Sequence, residues 1–196
     1  MNLCKAYLRW RHSKGFGVHS PYAYKFVTNV LRLRDYGFYS YHEIDSHLSS
    51  KEIHDYRFLK LIRFTIRLVN FLNTRRIITP SFCSRLAEVT AKAADKECIV
   101  IRDSDNFIFQ KRDLLIISDC GNDTKKSDEG SELTLNLSLA KSAIHSGATV
   151  FALCPHRELR ALLATPIPRG LLLNGISKQI LIPRPEMSYI SYDIRM

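Results

Sequence analysis

Three aspartates follow short apolar segments of this chain of 196 residues. Asp103 and Asp105 come after the segment 98–101, and Asp119 comes after the segment 114–117. Carboxylates at the ends of buried strands can accept hydrogen bonds from the hydroxyl groups of a ligand. Aspartate is also a common turn residue, because its side chain bonds the nearby backbone. The pattern gives three candidate site residues and leaves both interpretations open.

The segment 77–84 is a candidate ligand-binding turn that contains no glycine. Doubly wound folds hold a nucleotide-type cofactor in a glycine-rich turn beside a helix N-terminus, where the backbone approaches the ligand closely. Here Pro80 removes a backbone donor and Phe82 brings in a large side chain. Ser81, which opens the following helix, remains as the candidate cofactor contact.

The net charge of +10 lies mostly in the N-terminal part of the chain. Residues 1–76 hold 14 Lys plus Arg against 5 Asp plus Glu. Helical spacing places four of these basic residues in one stripe: Arg57, Lys60, Arg63 and Arg67. Such a stripe can attract the phosphates of a nucleic acid or an anionic surface. A stripe of this kind is usually the solvated face of a helix.

Several classes of site have no support in the sequence. There is no Gly-x-Ser-x-Gly elbow or phosphate loop, and no His-Glu-x-x-His or Cys/His zinc spacing, so we predict no metal. The five cysteines form no Cys-x-x-Cys pair, and we expect reduced thiols. No segment reaches the roughly 20 apolar residues that span a bilayer. We therefore expect a cytoplasmic protein without membrane insertion.

The elements that must position these residues can be located from local signals. Ser20 and Pro21 predict the start of a helix over residues 21–34. Ser49 and Glu52 have the spacing of a capping box before an apolar stripe that reaches residue 72. The predicted elements that follow are strands at 77–78, 98–101, 114–117 and 149–153, helices at 81–93, 132–145 and 157–164, and two last strands at 176–182 and 188–194 that form a hairpin.

Alternation of helices with fully apolar strands predicts an α/β fold with a mostly parallel, doubly wound, Rossmann-like sheet. The sheet closes with the antiparallel C-terminal hairpin. About ten residues separate the second and third strands, fewer than a helical crossover needs, so one helix of the usual set is missing. We divide this single structural unit into a basic helical N-terminal extension, 1–74, and a truncated α/β domain, 75–196.

Segments along the chain resemble one protein family. Residues 14–27, with the motif Gly17-Val18-His19-Ser20-Pro21, closely resemble the N-terminal signature of small O-methyltransferase-like proteins of Bacteroidetes-type bacteria. Residues 58–72 resemble the helix that leads into the first strand of their class I S-adenosylmethionine-dependent methyltransferase sheet. Residues 113–119 resemble its fourth strand, and 171–196 resemble its closing hairpin. The chain is identified as a degenerate member of this family.

The resemblance implies roles for the candidate residues. S-adenosylmethionine would lie against the turn at Ser81, with its ribose on Asp103 or Asp105, and Asp119 would be the candidate catalytic residue near the methyl acceptor. The acidic residue that precedes the turn in the family is absent here. Metal-dependent relatives carry adjacent acidic residues after the next strand, where this chain has His156. The cofactor is thus doubtful, and no metal is expected.

These observations leave three hypotheses. The leading one is a methyltransferase-like protein with a degenerate cofactor site and a non-catalytic binding or partner role. The second is an active methyltransferase with an atypical S-adenosylmethionine site. The third is a binder of nucleic acid or another polyanion through the N-terminal basic face, which includes the stripe Arg57, Lys60, Arg63 and Arg67. A homodimer could cover the sheet face that the lost helix leaves exposed.

Overall fold

The computed structural model of the chain describes residues 3–15, 17–32, 44–80, 83–94, 98–102, 108–118, 129–165 and 169–196. The described helices are α1 (Leu3–Ser13), α2 (Pro21–Phe26), which continues as a π-helical segment (Val27–Arg32), α3 (Ser50–His54), α4 (Tyr56–Leu72), α5 (Ser84–Ala94), α6 (Glu129–His145) and α7 (Arg157–Ala164). The strands are β1 (Arg76–Thr79), β2 (Ile99–Arg102), β3 (Asp113–Ser118), β4 (Thr149–Leu153), β5 (Gly170–Asn174), β6 (Lys178–Pro183) and β7 (Tyr189–Asp193).

The seven strands form one mixed sheet in the order β2-β1-β3-β4-β6-β5-β7. Strands β2, β1, β3 and β4 are parallel neighbours. Strand β6 runs antiparallel to both β4 and β5, and β7 pairs in parallel with β5. The predicted α/β class, with a mostly parallel Rossmann-like sheet and antiparallel strands near the C-terminus, is confirmed.

Helices cover both faces of the sheet. One face packs against α2, α4 and α5, and its core includes Leu114 and Ile116 of β3 together with Phe151 of β4. The other face packs against α6 and α7, and its core includes Leu115 and Ile117. Successive residues of β3 are thus buried on opposite faces, which explains why this strand is an unbroken apolar run.

The two predicted helix starts are confirmed. Ser20 caps α2 by accepting a hydrogen bond from the Ala23 amide at 3.3 Å, and Pro21 occupies the first turn. Ser49 and Glu52 form the reciprocal capping box, in which the Ser49 amide donates to the Glu52 carboxylate at 2.8 Å. Both signals are local, since each cap involves residues three apart.

The helix predicted from Ser49 to residue 72 is interrupted at Asp55. This residue has extended backbone angles, and its Oδ1 accepts hydrogen bonds from the amides of Arg57 at 2.9 Å and Phe58 at 3.2 Å. Aspartate is among the strongest N-capping residues, so it begins a new helix here and separates α3 from α4.

The pairing predicted for the last two strands is wrong. Strand β5 lies between β6 and β7, so the antiparallel hairpin is β5 with β6. Gly175 closes this hairpin, with its amide 2.8 Å from the Lys178 carbonyl. Residues 184–188 then carry the chain to the far edge of β5, where β7 adds in parallel.

The connection from β2 to β3 is short. It spans residues 103–112, and its described part, 108–112, contains no helix and no strand. Strand β2 forms one edge of the sheet, and Ile99 there is 59% exposed.

The N-terminal helices pack on the C-terminal strands. The His12 ring donates through Nδ1 to the Asp193 carbonyl at 2.8 Å and meets the Tyr192 ring edge-on. The Arg195 amide donates to the Ser13 hydroxyl at 2.7 Å. Residues on both sides of the proposed boundary at 74–75 therefore contribute to one core.

Candidate functional site

The carboxyl ends of β1, β2 and β3 lie side by side, because these strands are parallel neighbours. The candidate residues Ser81, Asp103, Asp105 and Asp119 follow these strand ends in the sequence, but all four lie outside the described residues. The order β2-β1-β3 also makes this the place where the winding of the sheet reverses, which is where open α/β sheets bind ligands. The surrounding residues show what this edge offers to a ligand.

In the turn after β1, the described groups of Thr79, Pro80 and Cys83 are bonded within the protein. The Pro80 carbonyl accepts hydrogen bonds from the Cys83 amide and from the Thr79 hydroxyl, both at 3.1 Å. Both donor residues, Thr79 and Cys83, are buried. An unpartnered amide at the start of a helix can serve as a donor for an anion. Here the Cys83 amide already has a protein partner, the Pro80 carbonyl.

The end of β3 is also covered from within the protein. The amide of Asn136, on α6, donates to the Ser118 carbonyl at 3.3 Å. Asn136 is almost completely buried, so its side chain occupies space beside the last residue of β3. A ligand that contacted the end of this strand would have to displace the Asn136 amide.

Charged residues link the N-terminal helices to the helix that follows β1. Glu52 accepts two hydrogen bonds from Arg85 of α5, at 2.8 and 2.9 Å, and Arg85 also donates to the His47 carbonyl. Glu88, one turn further along α5, pairs with Arg102 at the end of β2. Hydrogen bonding by Arg85, with that from Ser49, holds the pKa of Glu52 well below its usual range. The capping box identified Glu52 in the sequence, but no local pattern pointed to Arg85.

The predicted basic stripe on α4 is only partly exposed. Arg57 and Lys60 lie in solvent, whereas Arg63 and Arg67 are half-buried. Arg67 donates through Nε to the Val30 carbonyl at 2.8 Å, so it ties α4 to the helical segment before it. The structure places a further basic residue near Lys60 that the sequence did not single out, Lys178 at the start of β6.

His156 does not complete a metal site among the described residues. It is exposed at the N-cap position of α7 and makes no side-chain capping bond. Within the ranges that the structure describes, no group of three or more His, Cys, Asp or Glu side chains is arranged to hold a metal ion.

A separate cavity of about 370 Å³ opens at the opposite ends of the strands, where the parallel strands begin. It is lined by the first residues of β3 and β4, Asp113 and Thr149, and by Arg112 and Arg184. Arg184 is already held by the Tyr22 ring, at 4.2 Å from its centroid, and by Glu186. This cavity lies at the amino ends of the parallel strands, opposite the edge at which doubly wound sheets bind ligands.

No protein-family model, no curated protein and no solved structure matches the chain.

Proposed function

We propose that the chain is a methyltransferase-like protein that has lost methyl transfer and acts by binding. The sheet order supports this proposal. A Rossmann sheet has the order 3-2-1-4-5-6, and the run β2-β1-β3-β4 corresponds to its 2-1-4-5 portion. That correspondence makes β3 the fourth strand, in agreement with the family resemblance of residues 113–119.

One observation carries the loss of activity. The Cys83 amide and the Thr79 hydroxyl both donate to the Pro80 carbonyl at the position where the family presents a glycine-rich turn to the cofactor. Groups that already have protein partners gain little by binding a ligand, since each new hydrogen bond replaces an existing one. Asn136 has the same effect at the end of β3.

Calorimetric titration with S-adenosylmethionine tests this proposal. We expect no saturable heat at micromolar or submillimolar cofactor, in a sample whose cooperative unfolding shows that it is folded. Saturable micromolar binding would contradict the proposal. If Asp103→Asn or Asp105→Asn then weakened that binding and Asp119→Asn abolished methyl transfer, the chain would be an active methyltransferase with an atypical site.

A second candidate, a binder of polyanions, is favoured by the exposed surface of α1. Tyr7 and Trp10 are 57% and 47% exposed and stack with their ring centroids 6.1 Å apart. The Arg11 guanidinium lies 5.8 Å from the Tyr7 ring centroid. Aromatic rings beside basic groups bind single-stranded nucleic acid by stacking and charge attraction.

Salt elution from an immobilised single-stranded oligonucleotide tests this candidate. We expect Trp10→Ala and Arg11→Glu to elute at lower salt than the parent chain, because each removes a stacking or phosphate contact. Lys92→Glu, on the exposed surface of α5, has the same charge change and serves as the control. Equal shifts for Arg11→Glu and Lys92→Glu would indicate a general charge effect and would exclude a specific α1 surface.

The cellular location and the oligomeric state of the chain are also part of this proposal. No helix within the described ranges is long and apolar enough to cross a membrane. A cytoplasmic location, and a homodimer that covers the sheet face left exposed by the lost helix, remain predictions.

A further inference from the structure

Two lysines lie near each other at the carboxyl end of β4. Lys178, the first residue of β6, pairs with Leu153, the last residue of β4. Its ammonium group lies 6.0 Å from the centroid of the Phe64 ring, within the range of a cation–π contact. Lys60 precedes Phe64 by four residues on α4, so it lies on the same side of the helix. Packing of α4 on the sheet thus brings together two cations that are distant in sequence.

The electrostatic environment of Lys178 is unfavourable for its charge. Its half-buried position lowers the pKa of its ammonium group, the nearby charge of Lys60 lowers it further, and Cys154 acts in the opposite direction. Neither lysine has a carboxylate within salt-bridge distance in the part of the chain that the structure describes. Two adjacent cations without an anion repel each other, and an anion bound between them would relieve that repulsion.

The backbone around Lys178 is fixed. Cys154 follows β4 with a positive φ of 45°, and its amide donates to the Ser177 carbonyl at 2.7 Å. Lys178 is the next residue after Ser177, so the base of its side chain is held by both this bond and the β4–β6 pairing. The Phe64 ring packs in turn on Phe151, at 5.5 Å between centroids. A ligand would therefore meet one cation, Lys178, whose backbone is already held in place.

We propose that Lys60 and Lys178, supported by Phe64, bind the phosphoryl group of a small anionic molecule at the carboxyl end of β4. This edge of the sheet is the one at which doubly wound folds bind ligands. The site uses none of the residues of the turn after β1, so it stands whether or not S-adenosylmethionine binds.

The extent of the exposed charge favours a compact ligand over a nucleic acid. Beyond Lys60 the stripe on α4 does not continue in solvent, because Arg63 and Arg67 are half-buried and Arg67 bonds to the Val30 carbonyl. A nucleic-acid backbone gains affinity from a row of phosphate contacts. Two lysines, one of them recessed beside an aromatic ring, match a single dianionic group better than such a row.

Labelling with pyridoxal 5′-phosphate, followed by borohydride and peptide mapping, tests the proposal on the full chain. The neutral lysine amine attacks the aldehyde carbon and water leaves, and hydride from borohydride then reduces the imine to a stable secondary amine. We expect preferential labelling of Lys178 over exposed lysines such as Lys92, because it carries the lowered pKa and lies beside a second cation. Pyridoxal, which lacks the phosphate, should lose this preference.

Protection by inorganic phosphate, at constant ionic strength with chloride, is the second measurement. We expect phosphate to slow labelling of Lys178, and Lys60→Gln to weaken that protection about tenfold, as expected when one charged hydrogen-bond donor is lost. Lys92→Gln, an equal charge change on α5, should leave it unchanged. Labelling of Lys178 no faster than that of Lys92, or protection that chloride reproduces, would overturn the proposal.

A third arm separates a small phosphate from a nucleic acid. A single-stranded oligonucleotide, supplied at the same phosphate concentration, should protect Lys178 less than inorganic phosphate does. If only the oligonucleotide protects, the small-anion assignment is wrong. This result is independent of the S-adenosylmethionine titration, so failure of either proposal can be recognised separately.

Discussion

Replacement of Arg76 by Met is expected to lower the free energy of unfolding by about 3 kcal/mol or more, because it leaves a buried carboxylate unpaired. Asp113 is 2% exposed, and its two carboxylate oxygens accept hydrogen bonds from Arg76 at 2.8 and 2.6 Å. This bidentate bonding raises the pKa of the Arg76 guanidinium. The two residues are register partners at the starts of β1 and β3, the strands at which the sheet reverses its winding.

The same carboxylate organises the short connection into β3. The Gln110 amide donates to Asp113 at 2.6 Å, and Arg76 also donates to the Ile108 carbonyl at 3.2 Å. The described part of this connection, 108–112, contains no helix, and it therefore has few backbone hydrogen bonds of its own. The ion pair therefore holds this connection against the sheet, as a helix would otherwise do. Its loss should loosen residues 108–112 as well as the sheet.

Urea denaturation of three variants measures this effect. Arg76→Met should be the least stable, whereas Arg76→Met combined with Asp113→Leu should recover part of the loss, because no buried charge remains. Arg112→Met, an exposed neighbour, is the control and should change stability by less than about 0.5 kcal/mol. A cost below about 1 kcal/mol for Arg76→Met is typical of a surface pair and would contradict the role assigned to it.

The parts of the fold that sequence reasoning predicted correctly depend on local chemistry. The caps at Ser20 and Ser49 involve contacts three residues away, so the sequence alone contains both partners. The fully apolar segment of β3 is recognisable because burial on both faces leaves no polar position. Strand pairing in the tail is different: nothing within Leu171–Leu173 indicates that β5 inserts between β6 and β7.

The sequence predicted the candidate site only as a set of residues that follow the ends of strands. Ser81, Asp103, Asp105 and Asp119 lie outside the described residues, so their roles stay predictions. The lysine pair was missed because α4 and β6 come together only in the folded chain. One signal was present: Lys178 shares a strand face with Ile180 and Ile182, which are buried, and a charged residue at such a position is unusual.

The Phe151→Ala variant is expected to lose about 3–5 kcal/mol of stability, since the deleted ring leaves a cavity in the largest core cluster. Phe151 is fully buried on β4, and its ring contacts Phe64, the ring beneath the Lys178 ammonium. The cavity should therefore have a second consequence, because Phe64 can shift toward the vacated space and change the environment of Lys178. Urea denaturation measures the first effect, and pyridoxal 5′-phosphate labelling measures the second.

Leu159→Ala is the matched control for this variant. Leu159 is also fully buried but belongs to the cluster on the opposite face of the sheet, so its truncation should cost about 2–5 kcal/mol without reaching Lys178. We expect preferential labelling of Lys178 to fall in Phe151→Ala and to persist in Leu159→Ala at comparable stability. Equal loss in both variants would mean that labelling follows global stability, whereas no loss in either would mean that the aromatic pair does not position Lys178. Only the asymmetric result supports a site built on Phe64, because it separates support of the lysine pair from general packing of the core.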